Sequence, residues 1–222
     1  MLLDALLGGS LNWNYLLAGV LSSLAVIFFT LPLHEWAHAF VATKFGDPTP
    51  KYQGRLSINP FKHIDYIGAL MIIFVGIGWA KPVNVDMRYF KNPKRDMALV
   101  GAAGPVMNLL VAVVLLFIYN LLNVFLTLPL IITYIFYFFS YINVSLAIFN
   151  LIPVPPFDGS RILNCILPDR IYYKLMQNEQ MMYIILFVVL IFLNRTGILS
   201  FITSNVYSFL NFIVSLPFRF LP

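Results

Sequence analysis

Residues 15–45 have the sequence YLLAGVLSSLAVIFFTLPLHEWAHAFVATKF, and this stretch decides the fold class. It is apolar over most of its length and is interrupted only by Pro32. At about 1.5 Å per residue, a helix of this length would extend roughly 45 Å, which exceeds the hydrocarbon core of a bilayer. The stretch therefore predicts a membrane-spanning helix, and its last third carries His34, Glu35 and His38.

The composition indicates a membrane protein throughout. Apolar residues make up 60% of the 222 residues and charged residues only 10%, whereas soluble domains carry about 25% charged residues. A chain this apolar would expose large apolar patches in water. The length fits one membrane-embedded domain covering residues 1–222, because no polar stretch is long enough to form a second, soluble module.

Further apolar segments predict additional spans at about residues 97–122, 129–152, 180–193 and 198–218. Residues 64–79 are apolar but short and interrupted by Gly, which favours a re-entrant segment over a full span. The loops beside it, 46–63 and 81–96, are rich in Pro and charge. We therefore expect an all-α polytopic membrane protein with about five transmembrane helices, a re-entrant segment and short β or loop elements near the functional site.

The net charge of +5 comes from Lys and Arg residues that flank the apolar segments. Anionic lipid headgroups explain this placement better than nucleic acid, which is not an expected partner. If residues 64–79 re-enter, every Lys and Arg except Arg195 lies on one face, and such an excess is typical of the cytoplasmic face. We therefore expect the end of the first helix to open towards the cytoplasm. The single cysteine, Cys165, excludes an internal disulfide and a multi-Cys zinc site.

His34, Glu35 and His38 form the pattern H-E-x-x-H. On a helix, residues four apart lie on one face, so both imidazoles can reach one zinc ion at about 2.0–2.1 Å. Glu35 lies beside them and can take a proton from a water that the metal activates. Ionisable residues inside an apolar helix are costly and usually functional, which argues against a chance match. The pattern therefore predicts a catalytic zinc site.

A catalytic zinc usually has three protein ligands and one open position, so a third ligand must come from elsewhere. His63 lies in a basic loop, has no metal-ligand spacing to the other histidines, and is more typical of a structural residue. Asp158 lies in a turn stiffened by three prolines, at the end of a predicted span. We favour Asp158, although it could instead be an ordinary N-cap of the short helix that follows.

Three motifs together resemble the site-2 protease family of intramembrane zinc metalloproteases. They are HEWAH at 34–38, GAAGPVMN at 101–108 and NLIPVPPFDG at 150–159, and they occur in the order found in that family. GRLSINPFKHID at 54–65 and GWAKPVNV at 78–85 are similar to its short branch, which lacks PDZ and CBS domains. The resemblance covers about residues 20–165.

The resemblance implies that one zinc ion per chain is bound by His34, His38 and Asp158. It implies that Glu35 is the catalytic base and later the proton donor. Asn150 would contact the substrate backbone or stabilise the oxyanion, because preorganised hydrogen bonds stabilise an oxyanion strongly. A plain helix C-terminal role is the alternative for Asn150.

The resemblance also implies an endopeptidase that cleaves transmembrane segments of membrane proteins, in the membrane of a prokaryotic cell. Its catalytic core would cover about residues 15–168, followed by C-terminal membrane helices within 180–218. Gly104 and Asn108 would let a third core helix pack closely, as small residues do in membranes without any catalytic role. Pro32 favours a kink near the metal, and GWAKPVNV could pair with an unwound substrate as an added strand.

Three alternatives stay open from the sequence. A membrane metal transporter could use the same two histidines and Asp158 as a transit site, but no repeat symmetry is visible and transport leaves Glu35 without a role. A catalytically inactive homologue could bind membrane helices, although every expected catalytic residue is present. Another kind of membrane zincin would need Glu179 as its third ligand, and no motif surrounds Glu179. The sequence predicts neither the identity of the substrate nor the oligomeric state.

Overall fold

The computed structural model describes residues 13–75, 78–168, 170 and 179–220. The α-helices of this part are α1 (Trp13–Ala25), α2 (Leu31–Lys44), α3 (Thr49–Tyr52), α4 (Tyr66–Val75), α5 (Pro93–Phe125), α6 (Leu130–Asn150), α7 (Gly159–Ile166), α8 (Glu179–Thr196) and α9 (Ile198–Ser215). Short 3-10 turns lie at Pro60–Lys62, Met87–Tyr89 and Leu216–Phe220. The described residues form no β-strand, only an isolated antiparallel bridge between Ile64 and Ala80.

The first predicted span is a continuous helix of 32 residues, Trp13–Lys44. Between α1 and α2, residues Val26–Thr30 form a π-turn, in which the Leu31 amide donates to the Val26 carbonyl. Pro32 follows at once, in the first turn of α2. Because proline lacks an N–H and its ring clashes with the carbonyl four residues earlier, a regular α-helix must adjust around it. The disturbance that we expected at Pro32 is thus a π-turn directly before it.

Four helices of the described part are long and apolar enough to cross a membrane. They are the Trp13–Lys44 helix, α5, α6, and α9 with the turn that follows it to Arg219. The remaining predicted span, residues 180–193, lies within α8, where the described apolar run is Ile184–Leu193. The prediction of an all-α polytopic membrane protein is therefore confirmed.

The segment 64–79 turns back on itself instead of crossing. Its helix, α4, has ten residues and is about 15 Å long, which is half of what a span needs. The bridge between Ile64 and Ala80 then joins the two ends of the segment. The returning chain touches α4 so closely that a Cβ on Gly68 would lie 2.1 Å from the Trp79 carbonyl oxygen. A short helix whose two flanking ends are bridged is the geometry of a re-entrant segment.

Small and polar side chains bring the long helices together around α2. Helix α1 packs against α6, while α5 contacts α2, α6 and α7. The Ser22 hydroxyl donates to the Ile135 carbonyl at 3.1 Å, and the Thr30 hydroxyl donates to Asn143 Oδ1 at 3.1 Å. Without a hydrophobic driving force between helices in lipid, such close packing and hydrogen bonding stabilise the bundle. The packing places the start of α7 and the middle of α5 beside α2.

Candidate metal centre

His34 and His38 lie on one face of α2, as their spacing predicted. Both are buried, with 6% and 2% of their surface exposed. Their Nε2 atoms are 3.1 Å apart. Two imidazoles at i and i+4 of a helix can therefore offer two nitrogen ligands to one point.

Asp158 reaches the same point from the turn between α6 and α7. Its Oδ2 atom lies 3.2 Å from the Nε2 atom of each histidine. The turn is tightly folded, since a Cβ on Gly159 would lie 2.3 Å from the Leu151 carbonyl oxygen. Asp158 occupies the N-cap position of α7 but makes no capping hydrogen bond. The Asp158 carboxylate therefore does not cap α7 and faces the two histidines instead.

The three donor atoms fit a single zinc ion. They form a nearly equilateral triangle with sides of 3.1, 3.2 and 3.2 Å. Tetrahedral zinc with bonds of about 2.0–2.1 Å separates its ligand atoms by about 3.3 Å, so the three donor atoms have the spacing that one zinc ion requires. Two imidazole nitrogens and one carboxylate oxygen are also a donor set typical of catalytic zinc.

Gly104 of α5 keeps the space beside the donor atoms free. A Cβ at this position would lie 2.4 Å from His38 Nε2 and 2.6 Å from His34 Nε2. Any larger residue would therefore fill the place where a metal binds. We predicted that Gly104 allows close helix packing, and the structure adds that it opens the metal position itself.

The outer nitrogens of both imidazoles are held so that the inner ones can bind a metal. His38 Nδ1 lies 2.7 Å from the Val100 carbonyl oxygen, which can only accept, so Nδ1 carries the proton. His34 Nδ1 lies 3.3 Å from Asn108 Oδ1 and donates in the same way. Nε2 of each ring is then unprotonated and available as a ligand, an arrangement typical of metal-binding histidines. We had assigned Asn108 to packing alone; its spacing of four residues from Gly104 was the signal for a role at the site.

Asp158 presents a buried carboxylate to both imidazoles. The residue is 8% exposed, and its Oδ2 lies against the Nε2 atoms of His34 and His38. In the part of the chain that the structure describes, no Lys or Arg forms an ion pair with this carboxylate. The group is thus a buried anion that faces two neutral nitrogen donors, which suits a divalent cation.

Glu35 follows His34 in α2 and is also buried. It is 8% exposed, and its Oε2 atom accepts a hydrogen bond of 3.0 Å from the Val83 amide. Val83 belongs to the segment 80–86, which follows the re-entrant helix and is extended at Ala80, in the bridge to Ile64, and at Asp86. Sequence reasoning missed this contact, because no local pattern connects residues 35 and 83. One carboxylate oxygen of Glu35 is held by main chain, and among the described residues the other has no hydrogen-bond partner.

The remaining candidates lie outside this group. Asn150 ends α6 and is half-buried, and among the described residues its side chain has no hydrogen-bond partner. His63 is fully buried and donates from Nε2 to the Ser57 carbonyl at 2.6 Å, so it is not a third ligand. The group of potential metal ligands found in the described chain contains only His34, His38 and Asp158. The side chain of Glu179 lies outside the described residues.

Comparison with known proteins agrees with this geometry. The model for peptidase family M50 matches residues 22–128 and 127–194. The chain is 41% identical over 171 residues to "Putative zinc metalloprotease YwhC" of Bacillus subtilis (strain 168), which covers 75% of this chain and 77% of that protein.

Two more distant relatives carry similar names. Identity is 30% over 171 residues to "Putative zinc metalloprotease Rip2" of Mycolicibacterium smegmatis, covering 73% of this chain and 63% of that protein. Identity is 29% over 174 residues to "Zinc metalloprotease MJ0392" of Methanocaldococcus jannaschii, covering 78% of this chain and 42% of that protein. No solved structure gives a significant match.

Proposed function

Because this chain belongs to peptidase family M50 and is a zinc metalloprotease, we propose that it is an intramembrane endopeptidase that cleaves transmembrane segments of membrane proteins. The observation that carries the proposal is the buried group of His34, His38 and Asp158. Both histidines lie on a helix long enough to span a membrane, and Glu35 lies beside them on that helix. Metal transport would use the same three ligands but would leave Glu35 without a role.

In the proposed mechanism, His34, His38 and Asp158 hold one zinc ion. When bound there, zinc acts as a Lewis acid that makes a water molecule acidic near neutral pH. Glu35 accepts a proton from the attacking water as the new C–O bond forms. It then donates that proton to the leaving amide nitrogen as the C–N bond breaks, so that one water is consumed for each peptide bond.

Asn150 is the proposed contact to the substrate backbone or to the oxyanion. Its amide lies at the end of α6, eight residues before Asp158, and no described residue forms a hydrogen bond with its side chain. A free, half-buried amide is available to donate to a carbonyl oxygen that develops negative charge. A helix C-terminal residue that serves only α6 would not need an amide.

A transmembrane substrate must unwind before it is cut, because its peptide bonds are protected in helical hydrogen bonds. The extended segment 80–86 can receive such a chain as an added strand. Its Lys81 and Val83 amides are already bound to His63 and Glu35, while no described residue bonds the backbone of Asn84. Successive residues of an extended chain point their amides to opposite sides, so the Asn84 amide faces away from those of Lys81 and Val83 and could pair with substrate. The Asp86 amide, two residues further on, is bound to Asp47.

The catalytic side is proposed to open towards the cytoplasm of a prokaryotic cell. Both ends of the re-entrant segment lie together, so the basic residues of the two flanking loops share one face. Such a concentration of Lys and Arg is typical of the cytoplasmic face, and the loops would give water access to the metal. The expected partners are single-pass or polytopic substrates within the same bilayer.

The proposal is tested by incorporating the purified protein and a model single-pass substrate into liposomes. Wild type should cleave the substrate within its membrane segment, as located by mass spectrometry. Glu35→Gln should keep its zinc and its fold but lose cleavage, because the amide cannot accept the proton. Cleavage that persists in Glu35→Gln, or cuts only in extramembrane segments of the substrate, would overturn the proposal.

A further inference from the structure

The extended segment 80–86 is fixed to the rest of the protein by three main-chain amides. The Lys81 amide donates to the His63 carbonyl at 2.8 Å, and the Val83 amide donates to Glu35 Oε2 at 3.0 Å. The Asp86 amide donates to Asp47 Oδ2 at 2.8 Å. The Val83–Glu35 hydrogen bond therefore has an anchored residue on each side of it in the chain, Lys81 before and Asp86 after.

Asp47 reaches its position through the way in which α2 ends. The Gly46 amide donates to the Thr43 carbonyl and the Asp47 amide to the Ala42 carbonyl, at 3.1 and 3.0 Å. These two bonds form a Schellman motif, which requires a residue with positive φ, and Gly46 has a φ of 106°. The motif reverses the chain directly after the metal-binding helix and turns the Asp47 side chain inward.

The Asp47 carboxylate is used entirely as a main-chain acceptor. It has no exposed surface. Oδ1 accepts from the Thr49 amide at 2.8 Å and Oδ2 from the Asp86 amide, while no Lys or Arg in the described chain forms an ion pair with it. Burying an unpaired carboxylate is costly, so a neutral residue would be expected here if the position served packing alone.

We infer that Asp47 is a positioning residue for the general base: it holds the segment 80–86 so that the Val83 amide fixes the Glu35 carboxylate. A Glu side chain rotates about several bonds, and proton transfer requires its oxygen to lie within hydrogen-bond distance of the water. The Val83 amide holds Oε2 and leaves Oε1 for the proton. At about 3.3 Å per residue, Val83 lies only roughly 7–10 Å from the Lys81 and Asp86 anchor points, so loss of either anchor displaces it.

This inference rests on the proposed function of Glu35 as the base. Asp47 itself has no exposed surface, so it is not a catalytic residue and acts only through the segment. The variant Val83→Pro removes the same hydrogen bond from its donor side, because proline has no amide hydrogen but keeps an apolar side chain.

The test measures kcat and KM of Asp47→Ala, Val83→Pro and the double variant on the liposome substrate. Each single variant should lower kcat by about 10–100-fold with zinc content unchanged, since a misplacement of about 1 Å has effects of this size. The double variant should be no slower than the slower single variant, because both act on the same hydrogen bond. Effects that multiply, or a raised KM with unchanged kcat, would overturn the inference.

Asp96→Ala is the matched control. Asp96 is also buried, at 5% exposure, and its Oδ2 accepts a main-chain hydrogen bond from Asn92. It lies at the start of α5, and among the described residues no hydrogen bond joins it to the segment 80–86. It should lower the unfolding temperature as Asp47→Ala does while kcat stays within about twofold of wild type. An equal loss of kcat in both variants would show that general destabilisation suffices and would overturn the inference.

Hydrogen–deuterium exchange separates this inference from the proposed function. A peptide covering residues 80–86 should exchange faster in Asp47→Ala than in wild type or Asp96→Ala. Suppose that wild type cleaves substrate, but Asp47→Ala keeps the wild-type kcat or the wild-type exchange rate in residues 80–86. The positioning role of Asp47 is then wrong, and the proposed function is unaffected. If wild type itself cleaves no substrate, the function of Glu35 as base is wrong and the inference falls with it, whatever the exchange shows.

Discussion

Oδ2 of Asp158 lies 3.2 Å from Nε2 of His38, although 120 residues separate them in the chain. Both side chains are buried, at 8% and 2% exposure. A buried carboxylate lowers stability unless a positive charge or strong hydrogen bonds compensate it. A zinc ion held by Asp158, His34 and His38 would supply that compensation, so we expect metal binding to be coupled to the position of the Asp158 turn beside α2.

Asp158→Asn should reduce bound zinc strongly, although the side chain keeps its size. The amide lacks the negative charge that a zinc ligand of this kind needs. Metal content per chain is measured by inductively coupled plasma mass spectrometry after purification without chelators. His63→Gln is the control and should retain zinc, because His63 lies outside the ligand group. Zinc at the wild-type level in both Asp158→Asn and Asp158→Ala would contradict the assignment.

Gly104→Ala should also abolish zinc binding. The added methyl group would lie 2.4 Å from His38 Nε2, so either the metal or the close contact between α2 and α5 must be lost. The measurement is zinc content together with the unfolding temperature of the chelator-treated protein. Full zinc content with an unchanged unfolding temperature would mean that α5 lies further from the histidines than the structure has it.

Asn108→Leu should weaken zinc binding by about 10–100-fold, the usual effect of losing the partner of a metal-binding histidine. Asn108 Oδ1 faces His34 Nδ1 at 3.3 Å, and Leu has a similar size but no acceptor. Asn108→Asp is the matched variant, since it keeps an acceptor oxygen and should bind zinc at least as tightly as wild type. Affinities come from competition with a fluorescent chelator. Equal affinities for Asn108→Leu and wild type would leave Asn108 with a packing role only.

His63→Gln should make stability less sensitive to acid. Burial lowers the pKa of the His63 imidazole below its ordinary 6.5, although the bond to Ser57 opposes this. As pH falls, the unfolded chain therefore takes up a proton before the folded protein does, so stability is unaffected at neutral pH and decreases below about 6.5.

The comparison uses unfolding temperatures of wild type and His63→Gln in detergent at about pH 7.5 and 5.5. The Gln amide can still donate to the Ser57 carbonyl but has no group that titrates in this range. Wild type should lose more stability than the variant over the interval. The same loss in both proteins would show that His63 does not contribute.

Local patterns predicted one half of the site. The spacing of His34 and His38 places both on one face of any helix, and the length and apolarity of 15–45 predict that helix, so neither depends on distant packing. The motif around residues 150–159 indicated Asp158 through family resemblance, and its geometry agrees. The sequence predicted about five spans, whereas four described helices are long and apolar enough to cross a membrane. The difference is α8, whose described apolar run, Ile184–Leu193, is short.

Long-range packing decided the other half. No sequence pattern connects Val83 with Glu35, Asp47 with Asp86, or Asn108 with His34, because each pair lies on separate segments and meets only once the re-entrant segment and α5 have packed against α2. The sequence by itself determined a helical membrane protein with two histidines at the spacing of zinc ligands and a glutamate beside them, since helix periodicity and hydropathy are local properties. Only the tertiary structure decided which main-chain and side-chain groups orient them, because those contacts depend on how distant segments fit together in space.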